Sequence, residues 1–406
     1  MEHPADVVTP ALTRRQLTRW RNAVLAIFAL CGIAIASWLA RTPTIRDLLH
    51  ASTAEMGWVV FGIAAGSIVG LLLSSHALAT FGPRRTIVVT IIGSAIGLLI
   101  AAFGAGVQGS AVVVLFGLII FGACNGMCDV SMNVEGAANE RALGKTVMPL
   151  FHASFSGGTM AGAGLGALAA RFEVPVLVHM GITAAVLVGG VLYSVTALQP
   201  HPDAPDKDAV ESEGWRDRLA IWKDRRTLLI GLIVLGMAFA EGSANDWLAL
   251  AMVDGHHVSN AGGAVIFGVF VTAMTIGRIA GVKVLDRYGR VPVLRATAIL
   301  AVVGLIVVIF APTPIAIIGV VLWGLGASLG FPVGMSAAAD DPATAGARVS
   351  AVATIGYVAF LVGPPVLGFL GEHFGLLKAL LLVLVLVGLA GAMSNAAREP
   401  RVRADS

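Results

Sequence analysis

Continuous runs of about twenty apolar residues recur from one end of this chain to the other. A run of that length matches one element well, an α-helix crossing the hydrocarbon core of a bilayer. Twelve such spans are read at roughly 21–40, 55–76, 86–106, 111–134, 147–170, 174–198, 227–250, 262–283, 292–311, 314–338, 347–370 and 374–395. Most are bounded by charge, Pro or Gly. A membrane β-barrel would instead show ten-residue strands of alternating polarity. Hydrophobic residues make up 57% of the 406 and charged residues 13%, about half the charged share of a soluble domain. Twelve spans and short loops leave no room for a sizeable soluble domain. The 49 glycines lie inside the apolar runs, where they let helix backbones approach closely.

The fold expected is all-α, twelve transmembrane helices in two pseudo-symmetric six-helix bundles. The first 20 residues are polar, so no cleavable signal peptide is expected. Cys31, Cys124 and Cys128 all sit in apolar runs and read as small buried hydrophobes, not a disulfide or metal set. No cofactor is expected.

Lysine and arginine set the orientation. With the N-terminus inside, only Arg41, Arg46, Arg171 and Lys378 of the 27 fall outside, and Arg278 falls within the membrane. The positive-inside rule then places both termini in the cytoplasm, in a cytoplasmic (inner) membrane protein. Gln199 to Arg226 is the one long polar stretch. Trp215, Leu219 and Trp222 within it have the spacing of a short helix lying on the inner leaflet; a plain tether is the competing reading. Either way the stretch divides the chain into an N-terminal six-helix bundle (1–198), a linker (199–226) and a C-terminal bundle (227–406). The bundles echo each other. Ser37-Trp38-Leu39-Ala40 resembles Asp246-Trp247-Leu248-Ala249, and Gly117, Gly122, Gly166, Leu168 and Phe172 recur at one constant offset as Gly319, Gly324, Gly368, Leu370 and Phe374. An internally duplicated six-helix unit is transporter architecture.

Between spans 8 and 9 stands Asp286-Arg287-Tyr288-Gly289-Arg290. It resembles the cytoplasmic signature of the major facilitator superfamily, and the resemblance extends over nearly the whole chain. The resemblance implies that Asp286, Arg287, Gly289 and Arg290 serve an inner gate. The first-half copy, Ala79-Thr80-Phe81-Gly82-Pro83-Arg84-Arg85, keeps the glycine and bases but has alanine where the acid belongs. A narrower resemblance is to the YbjJ-like branch, distantly similar to the fucose permeases. It rests on Ala40-Arg41-Thr42-Pro43-Thr44-Ile45-Arg46, Asp129-Val130-Ser131-Met132-Asn133, Phe151-His152-Ala153-Ser154-Phe155-Ser156 and Asn245-Asp246-Trp247. It implies transport of a small polar solute, sugar-like or otherwise.

Ionisable groups inside a bilayer are costly, so each is a functional candidate. Asn125, Asp129 and Asn133 form one stripe of span 4; the alternative is a hydrogen-bond network that packs the helix. Glu241 and Asn245 share a face near mid-membrane in span 7. Glu241 is the first candidate for proton coupling, with Asp129 second and His152 third. A permanent ion pair between Glu241 and Arg278 is the competing reading. Gly242 and Ser243 are expected to loosen the helix there, as in discontinuous transporter helices. Trp38, Trp247 and Tyr357 are candidate stacking surfaces for a solute, the tryptophans equally well interfacial anchors. Arg41 reads as a helix-end charge in the headgroup zone or an anion selector at the outer mouth. Span 5 lacks the Gly-Pro pair of drug–proton antiporters in this superfamily, although Gly363-Pro364-Pro365 occurs in span 11.

No phosphate-cradling lysine loop, zinc-ligand cluster, selectivity filter or nucleophile–base pair is evident, and nothing suggests nucleic-acid binding. The function expected is a secondary transporter, not an enzyme, that works as a monomer in the lipid bilayer and couples solute movement to protons. Proton-driven export of drugs or metabolites, and a receptor that binds without transporting, are the alternatives.

Overall fold

A computed structural model describes residues 12–145, 147–199, 221–341 and 344–399. No strand occurs among the described residues. The helices are α1 (Arg14–Leu39), α2 (Thr42–Leu49), α3 (Thr53–Phe103), α4 (Ala111–Leu143), α5 (Met148–Arg171), α6 (Val176–Ser194), α7 (Arg225–Ser243), α8 (Ala249–His256), α9 (Asn260–Tyr288), α10 (Arg290–Phe310), α11 (Thr313–Ala327), α12 (Gly330–Ala338), α13 (Ala345–Phe374) and α14 (Leu376–Met393). Ten helical stretches are long and apolar enough to cross a membrane. The longest, Thr53–Gln108, contains two crossings, and α5, at 24 residues, is long enough for one more. Helix starts follow local chemistry: Thr13, Ser52, Ser110, Asp224 and Ser259 each accept a hydrogen bond from a backbone N–H of the first turn.

Four features differ from the reading by span. Spans 2 and 3 are two helices that run on until they meet at a non-helical turn at Gly82, with no loop between them; its φ of 72° and ψ of 164° suit only glycine. Gly289 repeats that conformation, with φ 75° and ψ 172°, at the equivalent turn of the second half. The two signature loops therefore share a backbone although their acids differ. Second, Thr42–Leu49 is a helix where a loop is expected; Pro43 in its first turn starts it. Third, span 7 is interrupted at Ala244–Leu248 by one widened turn, directly after Gly242 and Ser243. Fourth, span 10 breaks between α11 and α12 at Ser328–Leu329. Of the linker, residues 200–220 lie outside the described residues, and so do Trp215 and Leu219; Trp222 is exposed.

The packing repeats with the sequence. In the first half α1 lies on α5 and α3 folds onto α4; in the second, α7 lies on α13 and α10 on α11. The halves meet through two related pairs, α9 against α5 and α13 against α3. These are spans 8 and 5, and spans 11 and 2.

Candidate functional site

Both described chain ends, with most of the bases, lie at one face, called here the basic face. At the opposite face the halves are shut. Arg46 of α2 donates to both carboxylate oxygens of Asp254 at 2.6 Å. Asn260 donates to Asp47 at 2.8 Å. Glu372 at the end of α13 accepts from the Thr53 N–H at the start of α3, also at 2.8 Å. Below them Gly57 faces Gly368: a Cβ on Gly57 would lie 2.8 Å from the Pro364 carbonyl oxygen and 3.2 Å from the Gly368 Cα. The first-half side of that contact is almost bare backbone.

At the basic face the halves part around a cavity of about 1690 Å³. Asp129 of α4 and His152 of α5 line it from the first half. Glu241 of α7, Arg278 of α9 and Tyr357 of α13 line it from the second, and Asp286, Gly289 and Arg290 stand at its mouth. Phe28, Phe155, Phe331 and Phe360 supply apolar wall. Glu241 and Arg278 are joined, Arg278 Nη2 donating to Glu241 Oε1 at 2.8 Å. Arg278 Nε donates to the Ser328 carbonyl at 3.3 Å. That carbonyl is available because the residue four positions on is Pro332, which has no N–H to offer it. Pro332 was the sequence signal for this contact, and the reading of charged residues alone passed over it.

Asp129 is open to the cavity. Asn133 donates back to its carbonyl at 2.8 Å and weakly to Oδ1 at 3.4 Å. His152 is exposed to the cavity with its ring edge-on to Phe28, centroids 5.3 Å apart. Tyr357 is exposed beside Phe331 at 6.4 Å. Asn125 and Asn133 are not cavity-lining, and neither is Asn245 in the widened turn. Trp38 and Trp247 correct the expectation of stacking surfaces or interfacial anchors in this state, being 1% and 0% exposed. The Trp247 ring meets the Cβ position of Gly368 at 3.2 Å and so belongs to the closed face. Arg41 is also buried, at 2% exposed, and is neither a mouth nor a headgroup residue. Its Nη2 donates to the Val174 carbonyl at 2.9 Å, and burial pushes its guanidinium below its ordinary value.

At the mouth the engaged acid is Asp340, not Asp286. Arg290 Nη1 and Arg226 Nη2 each donate to one Asp340 oxygen at 2.7 Å. Arg290 also donates to Ser336 at 3.0 Å and, through its backbone N–H, to Glu399 at 3.2 Å. Asp286 is exposed, and the Arg287 guanidinium stands 5.4 Å from the Tyr288 ring centroid. Sequence reasoning missed Asp340, although Asp340-Asp341 directly after span 10 is its signal.

Two six-helix bundles around a one-sided cavity that sets a few ionisable groups among apolar walls, joined face to face at the other end, define a membrane carrier. The chain belongs to the Major Facilitator Superfamily, whose family model matches residues 23–364 and again 247–404. It is 31% identical over 363 residues to an uncharacterized transporter, y4wD, of Sinorhizobium fredii, covering 88% of this chain and 93% of that protein. It is 27% identical over 367 residues to the membrane protein MosC of Rhizobium meliloti, covering 89% and 86%. Among solved structures the fold matches a point mutant of the nucleoside transporter NupG, with TM-score 0.76, 16% identity and coverage of 93% and 98%. It also matches the Major Facilitator Superfamily transporter FucP in the outward conformation, with TM-score 0.65, 15% identity and coverage of 95% and 100%. A bacterial homolog of the human lysosomal transporter Spinster, inward-facing and unoccupied, gives 0.74 at 14% identity over 96% and 100%.

Proposed function

We propose that this transporter moves a small polar solute across the cytoplasmic membrane by alternating access, coupled to protons, with its basic face and both termini in the cytoplasm. The observation that carries the reading is the cavity itself. It opens at one face only, and ionisable side chains from both halves line the same space. A group that touches solute from both halves can report occupancy to their relative motion. The distribution of lysine and arginine supports the orientation, which makes the present state inward-open. The higher TM-score to an inward-facing carrier than to outward-facing FucP, 0.74 against 0.65, supports that assignment. NupG is a nucleoside transporter, FucP a fucose–proton symporter, and a D-xylose–proton symporter has the same fold, which supports a small polar solute here.

Glu241 and Asp129 are the proton-coupling groups in this reading, and His152 a third. Each lines the cavity, where water and solute can reach it. The test is uptake into proteoliposomes of a solute found by thermal shift among sugars, sugar acids, amino acids and cationic drugs. An inward-acid and an outward-acid pH gradient should give opposite net movement, and a Glu241→Gln, Asp129→Asn double variant should exchange solute without responding to the gradient. Transport indifferent to the gradient in the parent protein would remove proton coupling. Binding without counterflow would make the protein a receptor.

A further inference from the structure

Arg278 is permanently charged and 34% of its side chain is exposed to the cavity. A guanidinium offers five N–H donors in a planar fork. Two are used: one on Nη2 for Glu241, and Nε for the Ser328 carbonyl. No acceptor among the described residues meets Nη1. The pair with Glu241 is therefore single-stranded, not the two-bonded fork that arginine and carboxylate form when the geometry is complete. The unused donors share the cavity with Asp129, whose Oδ2 has no partner among the described residues. One wall presents an incompletely satisfied cation, and the wall of the other half presents an incompletely satisfied anion.

Resting on the transport reading above, we propose that the cargo carries a carboxylate that docks on the Nη edge of Arg278, with hydroxyl or ammonium donors at its other end for Asp129. Glu241 is then the internal stand-in that neutralises Arg278 while the cavity is empty. When cargo binds, its carboxylate replaces that of Glu241 on Arg278, and Glu241 takes up one proton (hydronium) from the bulk solution through the cavity, so no uncompensated charge is left in the wall. One anion and one proton enter together. The groups around Glu241 permit this exchange. Arg278 faces it from α9 and Tyr357 from α13, with Asp129 and His152 across the cavity. Helices α11 and α12 carry no ionisable side chain, and the Lys378 of α14 stands at its opposite end. Among the described residues Arg278 is thus the one cation bonded to Glu241, and an anion is what competes for it. The aromatic walls then select for a ring or carbon chain between the two charged ends.

The experiment is thermal melting of the purified full-length protein with matched pairs that differ only in charge: D-glucuronate and D-glucuronamide, D-gluconate and D-gluconamide, L-serine and L-serinamide. At millimolar ligand, the carboxylate of at least one pair is expected to raise the melting temperature by several degrees, on the order of 2–5 °C, and its amide not at all. That rise should weaken from pH 6 to pH 8. In Glu241→Gln the carboxylate should bind at least as well and lose its pH dependence. In the Glu241→Gln, Arg278→Gln double variant, which removes both charges together and so leaves neither stranded, the response should disappear while the unliganded melting temperature stays near that of the parent. Stabilisation by the amides that survives in the double variant overturns the proposal and leaves small-solute transport standing. Silence from every pair, and from neutral sugars as well, overturns both.

Discussion

The two faces of this transporter are held by different kinds of contact. At the opposite face three side-chain bonds cross between the halves: Arg46 to Asp254, Asn260 to Asp47, and Thr53 to Glu372. At the basic face the bonds of the Asp340 network and of Glu140 stay within one half. Arg226, Arg290, Ser336, Asp340 and Glu399 all belong to the second half, and Glu140 accepts from the Val147 and Met148 N–H groups within the first. The closed face therefore decides how the halves sit, and the open face decides how stiff each half is. A carrier that rocks as two bodies needs both properties, and here they are built at opposite ends.

The largest effect is expected from the stiffening network. Asp340 has a side chain only 7% exposed between two arginines. Removing it in Asp340→Ala strands both cations and should cost about 3 kcal/mol. Thermal melting should show the loss, while spin-label distances between Glu173 and Ala311 at the closed face should not change in the surviving folded population. A shift in those distances would break the division of roles. Next comes Gly57→Val, which places side-chain atoms against backbone 2.8 Å away. Overpacking of this kind costs about 1–3 kcal/mol, here charged only to the closed state. The same two labels should separate, and solute counterflow should drop about tenfold. Asp254→Asn should act in the same direction but more weakly, by about 0.5–1 kcal/mol, because Asp254 and Arg46 are 33% and 18% exposed. If it moved the labels more than Gly57→Val, charge and not backbone contact would govern closure.

The smallest effect belongs to Asp224, which caps α7 and is held below the ordinary carboxylate range, first by the Thr227 hydroxyl. Its stabilisation is fully present above the ordinary aspartate value of about 3.9 and is lost as pH falls through the lower folded value. Asp224→Ala should lower stability by about 0.5 kcal/mol at neutral pH. Its melting curve should meet that of the parent in strong acid.

Much of this architecture is legible in the sequence, and the reasons are physical. Span length and apolarity are local, so the crossings could be counted along the chain. The Gly289 turn could be placed because only glycine takes that backbone, and Gly82 obeys the same rule although its loop has lost the acid. Span 4 shows where reading stops. Steps of four residues advance about 40° around a helix, so Asn125, Asp129 and Asn133 drift across its surface. Only Asp129 faces the cavity. Which member of a drifting stripe meets the space depends on the tilt of neighbouring helices, and the sequence of span 4 does not encode that. Trp247 reads from the sequence as a stacking surface or an interfacial anchor, but it is buried against a glycine in span 11, more than a hundred residues away. Asp340 was passed over because pairing with Arg226 and Arg290 exists only after three helix ends have been brought together.

The break in span 10 has a consequence for how this carrier could diversify. The Ser328 carbonyl that steadies Arg278 belongs to the main chain, and no exchange of side chain at position 328 deletes it. The cation's heading is thus inherited with the proline at 332, while its neutralising neighbour is an ordinary, replaceable glutamate. A lineage built on this scaffold can exchange that one acid and leave the arginine aimed where it was.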